Sequence, residues 1–359
     1  MKRKVLAGLL VATMLATMLG TAGCGKEAEK TNQDTTQVTG EAAKEMNFVY
    51  LSPSTESEYW QYNEVGMRNA IADIEAETGV KINLTVSGPA SEKESDAYIK
   101  AFESVIATKP DAIITATLIP DGTVPKVQEA QNAGIYVNFL AMGLEGGNSN
   151  KYGDYYGVHY YCDNTIIGET AAQIMLDGLK KKGIEPKGKI GMHMSVIVAT
   201  LEERMDGFKA YMKEHAPDLE CLDTLYNEND VSNAQANAEN QISTYGDELI
   251  GLYGGNNVSG DGIALAIKGA NLGDKIRGVG VDSDSLEIEA LRAGNLFAII
   301  VQTPYEQGYS AVQNAFTYVQ TGKNEETQKH VNCTSQAITQ ENMNTDASKA
   351  LLNPKILAK

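Results

Sequence analysis

Ala112-Ile113-Ile114-Thr115 and Ile135-Tyr136-Val137-Asn138-Phe139 are two mainly apolar runs of strand length, separated by a more polar stretch that reaches Ala133. Short apolar runs bounded by turn residues read as strands buried on both faces, and the longer stretch between them reads as a helix. Strand, helix and strand in that order make a parallel pair joined by a crossover. The same unit recurs outward in both directions. On the N-terminal side stand Phe48-Val49-Tyr50-Leu51, a helix over 59–77 with Trp60, Met67, Ile71 and Ile74 at helical spacing, a strand over 82–86 and a helix over 96–107. After a loop rich in Gly and Tyr (143–161) the alternation restarts, with strands expected over 189–192, 220–223, 249–253, 276–281 and 297–301. Helices are expected over 166–179, 201–212, 233–245, 262–268 and 306–319. Two such series predict an α/β protein of two doubly wound parallel-sheet lobes, with helices on both faces of each sheet. Ligands of such sheets sit beyond the carboxyl ends of the strands, so two lobes side by side make a cleft lined by those ends.

The N-terminus reads as an export signal. Lys2, Arg3 and Lys4 precede an apolar run from Val5 to about Leu19, which ends in Leu19-Gly20-Thr21-Ala22-Gly23-Cys24. The apolar run is shorter than the ~20 residues a membrane span needs. The small residues before Cys24 resemble a lipobox, where the thiol takes a lipid and becomes the first residue. Thr21 departs from the Leu, Val or Ile usual three places before that cysteine, so plain cleavage and secretion is the alternative. Residues 24–45 are polar and expected to be a disordered tether. Loss of three basic residues with the signal takes the net charge from −17 to −20. An acidic surface of that size argues against nucleic acid and against anionic lipid as partners. The membrane is therefore expected to be reached only through the lipid on Cys24. Cys162, Cys221 and Cys333 are too few for a disulfide framework and are expected to be buried free thiols.

Catalytic patterns are absent. The sequence has no G-x-S-x-G elbow, no phosphate-binding G-x-x-x-x-G-K-[ST] loop and no H-E-x-x-H. His159, His193, His215 and His330 are scattered, and no C-x-x-C or calcium loop occurs. Gly254-Gly255-Asn256-Asn257-Val258-Ser259-Gly260 reads as a tight turn before a helix. No cofactor, no metal and no catalytic residue is expected. A glycosidase-like pair of Asp282 with Glu202 or Glu203 is the enzymatic alternative, and sequence distance says nothing of its spacing.

The expected strand ends carry a recurrent chemistry. Tyr59 and Trp60 follow the first strand, and Asn227 and Asn229 follow the strand at Asp223. Asn256 and Asn257 follow Tyr253, Asp282 follows Val281, and Gln302 follows Val301. Amides and carboxylates offer paired donor and acceptor sites to vicinal hydroxyls, and an aromatic face suits the C–H side of a sugar ring. Each of these residues also has an ordinary structural role. A Trp at a helix start serves the core, and Asn or Asp after a strand caps a helix.

Several segments together resemble the type 1 periplasmic binding proteins, in the ribose- and galactose-binding class, over about Met46 to Thr339. They are Lys109-Pro110-Asp111-Ala112-Ile113-Ile114, Ala133-Gly134-Ile135-Tyr136-Val137, Cys162-Asp163-Asn164 with Gly168, and Glu203-Arg204-Met205-Asp206-Gly207-Phe208. Gly278-Val279-Gly280-Val281-Asp282 and Val301-Gln302-Thr303-Pro304 with Gly308 complete the set. The resemblance implies two lobes closing like a hinged clamp, with crossings near Cys162, Gln302 and Cys333. It divides the chain into a signal (1–23), the tether, an N-terminal lobe (46–161 plus 303–331), a C-terminal lobe (162–302 plus 332–345) and a tail (346–359). It also implies that Tyr59, Trp60, Asn256, Asp282 and Gln302 bind the ligand.

Three positions depart from that pattern. Ala141 and Met142 stand where the family has an Asp-Arg pair, Glu202 where it has an arginine, and Asn229 near its second stacking aromatic. Met142, Glu202 and Asn229 therefore join the candidate site, and Glu202 is expected to face the cleft and favour a neutral or amine-bearing ligand. The implied function is a monomeric, lipid-anchored, extracytoplasmic binding protein that hands a small neutral sugar-like solute to the permease and ATPase of an ABC importer. The alternatives are a subunit presenting ligand to a chemoreceptor or histidine kinase, and a ligand other than a pyranose: a polyol, a deoxy sugar or a furanone-type signal. The acidic runs 73–77 and 284–289 are candidate docking faces, or simply solvated helix surface.

Overall fold

The computed structural model describes residues 45–145 and 151–355. The signal, Cys24 and the tether up to residue 44 lie outside them. Two six-stranded sheets organise the chain. The first holds β1 (Glu45–Leu51), β2 (Lys81–Ser87), β3 (Ala112–Thr115), β4 (Tyr136–Leu140), β5 (His159–Tyr161) and β11 (His330–Asn332) in the order β11-β5-β4-β3-β1-β2. The second holds β6 (Gly188–Met194), β7 (Leu219–Tyr226), β8 (Leu249–Gly254), β9 (Arg277–Val281), β10 (Ala298–Val301) and β12 (Gln336–Thr339) in the order β12-β10-β9-β8-β6-β7. Pairing is parallel throughout, except where β12 runs against β10. Each sheet starts in its interior, steps one strand to one side, then winds out the other way. The switch points fall between β1 and β3 and between β6 and β8, where open α/β sheets bind ligands.

The apolar runs that open the sequence reading become β3 and β4, and every residue of both is buried. Helices α1 (Glu58–Thr78), α2 (Ser95–Thr108), α3 (Pro120–Asn132) and α9 (Pro304–Thr321) flank the first sheet. Helices α4 (Asn164–Lys181), α5 (Ala199–His215), α6 (Val231–Tyr245), α7 (Asn257–Ala270) and α8 (Ser285–Ala293) flank the second. Asp163, Asp230, Asn256 and Asp284 cap α4, α6, α7 and α8 through their side-chain oxygens, satisfying N–H groups that the helix itself cannot. α4 and α5 approach very closely. A Cβ on Gly168 would lie 2.0 Å from the Arg204 carbonyl oxygen, and one on Gly207 would lie 2.4 Å from that of Thr165. This approach brings Asn164 to Arg204, a contact central to the cleft.

The chain passes between the sheets three times, at 162–163, 302–303 and 333–335. Hydrogen bonds tie the crossings together. Cys162 Sγ donates to the Gln302 carbonyl at 2.7 Å, Cys333 N to that of Tyr161 at 2.6 Å, and Thr303 Oγ1 to that of Thr334 at 3.1 Å. All three described cysteines are free; Cys162 and Cys333 are buried and Cys221 half-buried. Burial pushes the Cys162 thiol up to about 12 and that of Cys221 to about 11.

Two short elements differ from the sequence reading. The stretch 143–161, expected to be loop throughout, ends in β5. Its partner β11 lies in register with it, so that His330 meets His159, Nδ1 to Nδ1 at 3.3 Å. Two of the four scattered histidines are thus neighbours; neither lines the cleft, although His159 Nε2 lies 3.2 Å from the Ala141 carbonyl oxygen at its edge. The C-terminal tail forms α10 (Asp346–Leu352), with Leu352 buried, and the Lys355 carbonyl accepts from Asn69 on α1 at 2.9 Å. Strands of three or four residues carry too little period to be read beforehand. Among the described residues no helix is long and apolar enough to cross a membrane, and no group of three or more His, Cys, Asp or Glu is placed to hold a metal ion.

Candidate functional site

Residues from both lobes line one cavity of about 40 Å³, and almost all of them follow the carboxyl end of a strand. Tyr59 and Trp60 come from the first turn of α1, the first helix after β1. Glu92 follows β2, Leu118 follows β3, and Ala141 and Met142 follow β4. From the other lobe come Ser195 after β6, Asn256 and Asn257 after β8, Asp282 after β9 and Gln302 after β10. Asn164, Leu201 and Arg204 are added by α4 and α5. Three cleft or hinge residues other than glycine hold positive φ: Ala141 at 48°, Asp282 at 101° and Thr303 at 53°. Such backbone strain concentrates at functional sites.

Arg204 organises the C-terminal side. It is 3% exposed. Its Nε and Nη2 donate to Asn164 Oδ1 at 3.1 and 2.6 Å, Nη1 to the Gly255 carbonyl at 2.5 Å, and Nη2 also to Gln302 Oε1 at 3.0 Å. Gln302 passes the chain on, donating from Nε2 to Asp282 Oδ1 at 2.6 Å. Asp282 Oδ2 accepts from the Asn257 backbone N–H at 3.3 Å. Burial pushes Asp282 up to about 6, against the opposing pull of the Arg204 charge and the Gln302 bond. Asn256 caps α7 with Oδ1, which accepts from both the Ser259 N–H and its hydroxyl, leaving the amide nitrogen for the cavity.

The N-terminal side is aromatic and acidic. Trp60 is 1% exposed and meets Tyr59 edge to face at 4.8 Å. Trp60 Nε1 donates to Glu92 Oε1 at 2.5 Å. Burial raises the Glu92 carboxyl and Asp282 across the cleft raises it further, against hydrogen bonds from Trp60 and Asn229 that lower it. The Tyr59 hydroxyl is buried near the Gln307 side chain and makes no hydrogen bond of full geometry. Further out, Glu58 Oε2 accepts from the Ser285 N–H and hydroxyl at 3.1 and 3.0 Å, and Lys93 pairs with Asp230 at 3.2 Å. These contacts cross from one lobe to the other and latch the closed arrangement.

Of the residues named from the sequence, Tyr59, Trp60, Met142, Asn256, Asp282 and Gln302 line this one cavity. Glu202 does not; its Oε1 accepts from the Tyr226 hydroxyl at 2.7 Å. Asn229 reaches the site only through Glu92, from a left-handed turn with φ 56°. The carboxylate that joins Asp282 in the cleft is Glu92, and the guanidinium there is Arg204 itself. The run 284–289 is not all solvated surface, because Glu287 is fully buried and neither carboxyl oxygen has a partner.

A match to the family described as periplasmic binding protein domain spans residues 48–324. The chain belongs to this family. Periplasmic binding proteins hold solutes rather than transform them, and membership places the folded part outside the cytoplasm. Among curated proteins the chain is similar to the D-allose-binding periplasmic protein of Escherichia coli K12. The two are 24% identical over 262 residues, which covers 72% of this chain and 81% of the relative. Two solved structures, both ABC transporter solute-binding proteins from Agrobacterium vitis, share the fold. One, bound with α-D-tagatopyranose, superposes with a TM-score of 0.76 at 24% identity, covering 86% of this chain and 100% of the other. The other, with bound D-fucose, gives 0.74 at 25% identity over 86% and 100%.

Proposed function

We propose that this periplasmic binding protein captures a sugar or sugar-like solute between its lobes and delivers it to an ABC importer. The observation that carries the proposal is the single cavity at the strand ends of both switch points. There Asn164, Asn256, Asp282 and Gln302 face Tyr59 and Trp60 across the cleft. Amides and a carboxylate suit ring hydroxyls, and the aromatic pair suits the apolar edge of a pyranose. The sugars bound by the relatives support the same reading. The cavity is smaller than the ~300 Å³ or more of typical ligand sites, so the solute enters an opened cleft and the lobes close on it. Closure is then driven by contacts made only in the closed form, with Glu58–Ser285 and Lys93–Asp230 among them.

Anchoring through a lipid on Cys24 completes the reading, because it would keep the protein beside its permease without a spanning helix. A thermal-shift screen of the purified protein against aldoses, ketoses, deoxy sugars and polyols tests the ligand class. A ligand at a hundred times its Kd adds about 2.7 kcal/mol of stability, a clear rise in Tm. A flat response across all four classes rules out the sugar reading.

A further inference from the structure

The polar groups of the cleft are unbalanced in charge. Two carboxylates line it, Glu92 from the N-terminal lobe and Asp282 from the C-terminal lobe, against one guanidinium, Arg204. Four hydrogen bonds to Asn164, Gly255 and Gln302 hold that guanidinium against the C-terminal lobe. Of the five N–H groups of an arginine, at most one is left for a ligand. Lys93, beside Glu92 in sequence, supplies nothing, because its ammonium is turned to Asp230 at 3.2 Å. The hydrogen-bond partners of Glu92, Trp60 Nε1 and Asn229, are both neutral, and the charge that faces it across the cleft is another carboxylate, Asp282. A carboxylate closed away from water needs an opposite charge or strong donors. The Tyr59 hydroxyl, buried in the same cavity near Gln307 but making no hydrogen bond of full geometry, offers one more oxygen acceptor.

We propose that the preferred ligand carries a protonated amine, seated between Glu92 and Asp282 when the lobes close. This rests on the sugar reading above and narrows it to amino sugars and amino polyols. The cation brings the closed cleft to neutrality, and its N–H groups have both carboxylates and the Tyr59 oxygen within the same cavity to accept them.

Isothermal titration with the purified protein tests this. The probes are 2-, 3- and 6-amino hexoses and amino alditols, each beside its neutral parent and its N-acetyl form, which keeps the nitrogen but removes the charge. At least one amine is expected to bind about 10- to 100-fold tighter than both counterparts, the range for hydrogen bonds to a charged partner. Glu92→Gln keeps the shape and the acceptor for Trp60, and should abolish that preference while leaving Tm in the absence of ligand within a few degrees. Neutral parents that bind as well as or better than their amines overturn the inference and leave the sugar reading standing. Absence of binding by every amine and every parent overturns the inference, and the sugar reading falls with it only if the thermal-shift screen is also flat across all four classes. An amine preference that survives Glu92→Gln overturns the role given to Glu92.

Discussion

Arg204→Met removes the guanidinium and keeps most of the buried stem. The loss strands Asn164 Oδ1, the Gly255 carbonyl and Gln302 Oε1, which accept its four hydrogen bonds in the folded protein. A buried polar group left unpaired costs about 1–3 kcal/mol. Water entering the cleft relieves part of this for Gln302 and Gly255, which border it. Asp282 also loses the charge that opposes its desolvation. Breaking one side of a buried charge network costs about 3–5 kcal/mol in total. At about 1.5 °C per kcal/mol, from an unfolding entropy of about 2.1 cal/mol/K per residue over a folded chain of this size, Tm should fall by roughly 5–8 °C. The cost is shared with Asp282, so Asp282→Asn should recover about 1–3 kcal/mol in the Arg204→Met background that it does not give alone. Urea denaturation of the four proteins, followed by circular dichroism at neutral pH, measures both quantities. At about pH 5 the coupling should shrink, because Asp282, with its value near 6, then carries a proton. An Arg204→Met protein that melts with the parent, or strict additivity of the two changes at neutral pH, refutes the reasoning.

Buried carboxyls set the response to pH: burial and Asp284 push Asp261 up to about 9, and Glu287 is held well above the carboxylate range. Groups whose folded value exceeds the unfolded one contribute fully below the unfolded value, near 4, and lose that contribution as pH rises through the folded value. Tm should therefore fall between about pH 5 and 9, and Glu287→Gln with Asp261→Asn should flatten the slope; a Tm that rises over that window contradicts it. Glu58→Ala deletes the acceptor of two bonds from Ser285 in the opposite lobe. Because both bonds are exposed, at about 0.2–1 kcal/mol it should move the lobes only up to about 5-fold toward the open form, seen as a modestly larger radius of gyration in solution scattering. Cys162 and Cys333 should resist a thiol reagent in the native protein, Cys221 should react slowly, and all three should react in guanidinium; fast native labelling of Cys162 would contradict its place in the hinge.

The architecture was legible because parallel strands buried on both faces write continuous apolar runs, as at Ala112–Thr115 and Ala298–Val301. The site was legible where the rule about strand ends was applied: Asp282 and Gln302 follow a strand directly, Asn256 one residue later, and Trp60 opens the helix that comes after β1 and its loop. Glu92 obeys the same rule after β2, but it sits in a polar loop, 88–94, where one carboxylate looks like any other solvated charge. Arg204 was hidden by its helix, since nothing local tells which side of α5 faces the cleft. The close packing permitted by Gly168 and Gly207 decides that. Asn164 stands inside the quoted hinge segment, yet its role exists only once α4 and α5 are packed and Arg204 is within reach. Glu202, expected in the cleft because it stands where the family has an arginine, is bound instead by the Tyr226 hydroxyl.

Trp60 is the chain's single tryptophan, and it lines the cleft. Its emission therefore reports on that site alone. The decisive measurement is a fluorescence titration with whichever sugar or amino sugar raises Tm. The account predicts a saturable change that fits one site and is lost in Asp282→Ala. A ligand that stabilises the protein while leaving Trp60 emission unchanged, and binds Asp282→Ala equally well, would place recognition outside the cleft and contradict the account.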